Sequence, residues 1–276
     1  MSFPSHRQPP APDGAGPSAG RVDPALADRL TDAVLLAGLP VAFGDQGPGV
    51  RIRPARPVDD RDLCAGVAAL DWLPSPRLAD AAAAAEPGQG AGSARELVET
   101  AMINALAEFL PALGLETVRD RSGRELRVEG PVTAGGGLLV PPGVLAPRPL
   151  GHTPDELGLP AGLVATVRRS AALAGLPVAP RLGATGITLD RCAPTGGGDD
   201  RDRAADLGWN PSRRLADLAD SDAPEAARAA TARTAVDGAM RHALGMALRA
   251  CGAELRWLHA HQLLRVYGEP APAVRR

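Results

Sequence analysis

Two histidines near the C-terminal end have a spacing that could bind a metal ion. His259 and His261 are separated by one residue, so on a strand both imidazoles would lie on the same face. His242 and Cys251, in the preceding helical stretch, are the remaining candidate ligands. The spacing matches none of the common zinc motifs, so we expect ordinary hairpin histidines and no metal or other cofactor. A metal-dependent enzyme built around His259 and His261 is kept as an alternative.

A pattern that occurs twice could supply a binding surface. The pattern Trp-x-Pro-Ser-x-Arg-Leu-Ala-Asp begins at residues 72 and 209. Trp72 with Arg77, and Trp209 with Arg214, would pair an aromatic ring with a guanidinium, residue types that are enriched at interface hot spots. In the structural interpretation each serine caps the helix that follows and each tryptophan covers the edge of the core. We favour the structural interpretation, because burial accounts for so large a side chain more simply.

Arg127 and Arg265 each lie between apolar residues in segments that alternate as strands do. We predict that both side chains face solvent. Arginine-bearing hairpins could track the phosphates of a nucleic acid, which gives a second alternative function. The net charge of −2 and the aromatic content of 3% disfavour it, because they provide neither a long-range field nor base-stacking platforms.

The chain contains no lysine, since all 30 of its basic residues are arginine. A Walker loop and a lysine Schiff base are therefore excluded. We lean against an enzyme for this reason, although the sequence does not decide the matter.

These residues must be positioned by an internal repeat. Residues 24–80 align without a gap with residues 161–217, at an offset of 137, and match at 20 of 57 positions. Residues 101–130 match residues 239–268 at 12 of 30 positions after one added residue. A repeat of this length predicts two similar structural units. We expect them to pack as a pseudo-dimer about an approximate two-fold axis; two units that share only a linker are the alternative.

Local patterns predict the first part of each unit. Asp23 followed by proline is typical of an N-cap, and the apolar spacing that follows predicts a helix up to Gly38. Residues 41–43 and 50–53 flank a Gly/Pro-rich turn and predict a hairpin. The middle segment, which contains Leu70 and its counterpart Leu207, is interpreted as helical.

The second part of each unit is predicted to be a long helix and another hairpin. Ser93 and Glu96 form a capping-box pattern that would begin the helix, and Gly114 would end it. Residues 116–119 and 125–128 flank a turn and predict an antiparallel pair. The fold class is therefore α+β: two tandem helix–hairpin–helix–hairpin units, each an antiparallel sheet with helices on one face.

Composition sets the expected boundaries. Residues 1–22 are rich in Pro, Gly and Ala and are predicted to be a disordered tail. The two copies span 23–130 and 161–268, a Gly/Pro-rich linker spans 131–160, and a short tail spans 269–276. The start of the chain lacks a signal-peptide pattern, no apolar run is long enough to cross a bilayer, and the three cysteines form no Cys-x-x-Cys pair. We therefore expect a cytoplasmic protein that does not contact membranes.

The favoured function is that of a non-enzymatic binding or adaptor protein. It would bind a protein partner or a small ligand near the junction of its halves. An enzyme should instead show an asymmetric cleft whose polar groups occur in one copy only, whereas a protein-binding module should show an exposed apolar or Trp/Arg patch.

Overall fold

The computed structural model describes residues 22–45, 47–55, 67–85, 90–119, 123, 125–131, 151–192 and 203–268. Residues 1–21 of the predicted tail, residues 132–150 of the predicted linker and the C-terminal tail 269–276 lie outside these ranges, as does Cys64. Residues 22–131 are called the first half below, and residues 151–268 the second half.

The described residues form six α-helices and nine strands in two sheets, which confirms the mixed α+β class. The helices are α1 (Pro24–Leu36), α2 (Pro76–Ala84), α3 (Ala91–Phe109), α4 (Ala161–Ala174), α5 (Arg213–Ala219) and α6 (Ala226–Ala250). The strands of the first half are β1 (Val41–Ala42), β2 (Gly49–Pro54), β3 (Ala68–Leu73), β4 (Leu115–Arg119) and β5 (Leu126–Pro131). Those of the second half are β6 (Gly186–Arg191), β7 (Ala204–Asn210), β8 (Glu254–Leu258) and β9 (Leu263–Tyr267).

The two sheets have the same strand order from their six-residue antiparallel pair onward. The first sheet runs β1-β2-β3-β5-β4 and the second runs β6-β7-β9-β8. Strands β2 and β3 pair from Gly49 opposite Leu73 to Pro54 opposite Ala68. Every pair between β6 and β7 lies 137 residues later than one of these pairs.

Two predictions about the strands are wrong. Residues 41–43 do not form a hairpin with residues 50–53, because β1 runs parallel to β2. The antiparallel partner of β2 is β3, in the segment that was interpreted as helical. In β3 the buried side chains of Ala68, Leu70 and Trp72 recur at every second residue, which is the period of a strand. The hairpin of β4 and β5 is confirmed.

The ends of the helices agree with the sequence in some places only. The Leu26 amide donates to Asp23 Oδ1 at 3.0 Å, which confirms that cap. The capping box at Ser93 is wrong, because α3 begins at Ala91 and Ser93 is already a helical residue. Gly114 follows a 3-10 turn at the end of α3 and has a φ of 83°, the left-handed conformation that favours glycine.

The buried apolar residues of both halves form one continuous core. Helices α3 and α6 pack against each other at its centre. Many buried positions of α6 are alanine, whose small side chain lets two helices approach closely. None of the helices in the described ranges is long and apolar enough to cross a membrane.

Candidate functional site

The two repeated tryptophans lie inside the protein, where the halves meet. Trp72 is 2% exposed, and its Nε1–H donates to the carbonyl oxygen of Ala174 at 2.9 Å. Trp209 is 3% exposed, and its Nε1–H donates to the carbonyl oxygen of Ala37 at 2.8 Å. Both bonds cross between the halves, and the donor and acceptor positions of the second are those of the first moved by 137 residues and exchanged between the halves.

The serines that follow the tryptophans make a second reciprocal pair of contacts. Ser75 Oγ accepts from the Leu78 amide, and Ser212 Oγ accepts from the Leu215 amide, each at 3.3 Å, so both predicted helix caps are confirmed. The Ser75 amide donates to the carbonyl oxygen of residue 173 at 3.1 Å, and the Ser212 amide donates to that of residue 36 at 2.9 Å. Each cap is thereby bonded to the last turn of a helix in the other half.

Two glycines let the backbones approach closely at this junction. Gly38 has a φ of 84° and Gly175 a φ of 81°, and each follows the first helix of its half. A Cβ on Gly38 would lie 2.7 Å from Thr185 Cγ2, and a Cβ on Gly175 would lie 2.6 Å from Pro48 Cβ. Both positions therefore need glycine for conformation and for space.

The arginines of the repeated pattern have different environments. Arg77 is exposed, whereas Arg214 Nη1 donates to Asp32 Oδ1 on α1 at 2.8 Å and so joins the halves. The tryptophan rings are enclosed by contacts within the chain, so a partner would reach them only if the halves separated. A partner-binding role for these residues stays a prediction.

Arg265 does not face solvent, contrary to the prediction. It is 2% exposed, and its Nε and Nη2 donate to the two carboxylate oxygens of Asp206 at 2.7 and 3.2 Å. The two residues are directly opposite in the pairing of β7 with β9. Hydrogen bonding to Asp206 holds the pKa of Arg265 above its ordinary value, against the opposing effect of burial. Arg127, at the equivalent place, is half-buried opposite Ala69.

The structure does not bring the histidines together as ligands. His259 and His261 lie in a 3-10 turn, so the expectation that they share a strand face is wrong. His242 is exposed on α6, and burial raises the pKa of the Cys251 thiol to about 11. The described residues contain no group of three or more His, Cys, Asp or Glu side chains placed to hold a metal ion.

A pocket of about 490 Å³ lies in the second half, between β6, β7, α5 and α6. Its volume lies in the range of small-molecule sites. Asn210 and Pro211 line it, and the backbone atoms of these two residues also approach Gly38 of the first half. The pocket is therefore next to the junction of the halves.

Small residues on two paired strands leave room for this pocket. Thr188 and Gly208 are opposite in the register of β6 and β7, so their side-chain positions face the same side of the sheet. The positions 137 residues earlier hold Arg51 and Asp71. Their side chains bond at two points, Nε to Oδ1 at 2.8 Å and Nη2 to Oδ2 at 2.7 Å. A bulky ion pair in the first half thus corresponds to a methyl, a hydroxyl and a hydrogen in the second.

Four charged residues line the pocket and form two ion pairs. Arg233 Nη1 lies 3.1 Å from Asp220 Oδ1, and both side chains are 45% exposed. Arg241 donates to both carboxylate oxygens of Asp237, at 3.1 and 2.5 Å, and also to the carbonyl oxygen of Gln262 at 3.1 Å. Burial raises the pKa of Asp237 above its ordinary value, although Arg241 acts in the opposite direction.

The sequence analysis missed every one of these pocket residues. The available signal was a difference between the copies: Thr188 and Gly208 stand where the first copy has an arginine and an aspartate. That difference identifies a site only once the register shows that the two positions are paired. No family model, curated protein or solved structure matches the chain.

Proposed function

We propose that the protein is a non-enzymatic binding protein that holds a small ligand in the pocket of its second half, beside the junction. The carrying observation is that Thr188 and Gly208 open a pocket at the place where the first half has the Arg51–Asp71 pair. A pocket of this volume, with apolar walls and a few converging polar groups, is the usual form of a small-molecule site.

We further propose that the two halves arose by internal duplication and pack as a pseudo-dimer. The matched register of the two sheets supports a common origin. The reciprocal bonds of Trp72 and Trp209 support two-fold packing, because in a two-fold interface each contact between two positions occurs twice with the roles exchanged.

A small ligand fits the described surface better than a protein partner does. The exposed large apolar side chains of the described residues are few, and they lie on α1, after β1, on α3 and on β4: Leu35, Phe43, Leu97 and Val118. A protein-docking surface would be expected to collect such side chains in one patch.

The decisive experiment fills the pocket with the residues of the other half. The double variant Thr188→Arg/Gly208→Asp writes the Arg51–Asp71 pair into β6 and β7. A library of small polar compounds is screened by saturation-transfer NMR against the full chain and the variant. We expect compounds that bind the parent and lose binding to the variant. Equal binding to both proteins would contradict the proposal.

Two further variants protect this result from a folding artefact. Ala230→Trp blocks the pocket from an exposed position of α6, so it should also abolish binding without disturbing the core. Arg51→Thr/Asp71→Gly makes the converse change in the first half and should leave binding intact. Far-UV circular dichroism establishes that each variant is folded.

An enzyme that acts through the same pocket is the second candidate. The pocket has groups without counterparts in the first half, since Asp220 and Arg241 align with Ala83 and Ile103. Asp237, with its raised pKa, is the residue suited to proton transfer. Incubation of an identified ligand with the protein, followed by mass spectrometry, tests this candidate. Turnover that Asp237→Asn abolishes while binding persists would favour the enzyme; an unchanged ligand favours the binding protein.

A further inference from the structure

The charges that line the pocket balance one another. Its charged lining residues are Asp220, Arg233, Asp237 and Arg241, two acids and two bases. A singly charged ligand that paired with one of them would stand beside a group of its own sign. In a partly desolvated pocket a charge without compensation is unfavourable. The lining is therefore suited to a ligand that carries both signs.

One of the two ion pairs is the easier to open. Arg241 is held by Asp237 at two points and by a backbone carbonyl, so its guanidinium is anchored. Arg233 and Asp220 are joined by one contact of 3.1 Å and are both 45% exposed. An exposed pair of this kind contributes little to stability, so a ligand can separate it at small cost.

The closeness of the two groups restricts the ligand further. Since Arg233 and Asp220 are in contact, the opposite charges of a ligand that inserts between them must also be close together. An α-amino acid has this arrangement, with one carbon between its carboxylate and its ammonium group. The carboxylate can accept two parallel bonds from a guanidinium, and the ammonium group can donate to a carboxylate.

Resting on the proposed function, we propose that the pocket binds a free α-amino acid, whose carboxylate pairs with Arg233 and whose ammonium group pairs with Asp220. The remaining wall includes Trp209, Pro211 and Ala219, which offer apolar contact to an uncharged side chain. The expected class is thus an amino acid with a neutral side chain.

The test compares each amino acid with forms that have lost one charge. L-Alanine, L-valine, L-leucine, L-methionine and L-glutamine are titrated into the full chain by isothermal calorimetry, beside their N-acetyl and C-amide derivatives. We expect at least one free amino acid to bind, with both of its derivatives weaker by about tenfold or more, which corresponds to about 1.4 kcal/mol. Arg233→Gln/Asp220→Asn should remove this preference.

A matched variant and the alternative outcomes complete the design. Arg256 and Glu254 form an exposed pair at 3.7 Å outside the pocket, so Arg256→Gln/Glu254→Gln should leave binding unchanged. Derivatives that bind the pocket as tightly as the free amino acids would overturn the ligand class and leave the proposed pocket function standing. If none of these probes binds, the amino-acid proposal fails; the library screen against Thr188→Arg/Gly208→Asp then decides separately whether the pocket binds any ligand.

Discussion

The reciprocal tryptophan bonds predict that each ring stabilises the whole protein through the other half. Replacing Trp72 or Trp209 with alanine removes a side chain that is at most 3% exposed. Such truncations cost about 3–5 kcal/mol. Phenylalanine keeps most of the apolar contact but leaves a buried carbonyl without its donor, at Ala174 or Ala37, which costs about 1–3 kcal/mol. The losses at the two positions should be similar, because the two environments correspond.

The assay is urea unfolding followed by far-UV circular dichroism, since tryptophan fluorescence itself changes in these variants. A loss of 3–5 kcal/mol should also lower the melting temperature by about 10 °C in a chain of this size. Trp257 is the matched control, because it is half-buried and takes no part in the junction bonds. Trp257→Phe should change the free energy of unfolding by less than about 1 kcal/mol.

Two results would refute this reasoning. If Trp72→Ala and Trp209→Ala both melt within a degree or two of the parent, the rings do not hold the junction, and the repeated Trp/Arg pattern becomes the leading partner site. If the phenylalanine variants are as stable as the parent, the bonds between the halves contribute nothing beyond apolar packing.

Three other measurements test the electrostatics of the second half. Arg265→Leu leaves the carboxylate of its partner buried without compensation and should cost about 3–5 kcal/mol in urea unfolding, whereas the exposed Arg256→Leu should cost less than about 0.5 kcal/mol; equal losses would contradict the burial argument. The pKa of Asp237 is raised on folding, so its ionisation weakens the fold as pH rises above about 4, and the stability of Asp237→Asn relative to the parent should increase from pH 3 to pH 7; a decrease would reverse the sign of that shift. With its thiol pKa raised to about 11, Cys251 in a Cys64→Ser/Cys192→Ser background should react with iodoacetamide at pH 8 about a hundredfold more slowly in the native than in the unfolded protein; similar rates would show that the thiol is not shielded.

Local chemistry made some elements predictable. Asp23 and Ser75 cap helices because an oxygen acceptor stands where backbone amides lack partners, and that pattern is readable from a few residues. Strand β3 was misread because its alanines and leucines fit either a helix or a strand when only one short segment is considered. The parallel partner of β2 was equally hidden, since a turn rich in glycine does not specify whether the chain reverses.

The site was less predictable than the fold. Arg265 looked like a solvent-facing residue because the sequence does not show that Asp206 lies opposite it. The pocket is a place where side chains are small, and a small residue carries no chemical pattern of its own. Thr188 and Gly208 gain meaning only from their pairing and from the larger residues at the corresponding positions.

The contrast between Arg51–Asp71 and Thr188–Gly208 shows what covalent linkage of two similar halves permits. In a dimer of identical chains every substitution appears twice, so opening a pocket in one subunit removes the same ion pair from the other. On a single chain the two places can change independently. One half can retain a two-point ion pair that ties its strands together, while the other half gives up the corresponding side chains for empty volume.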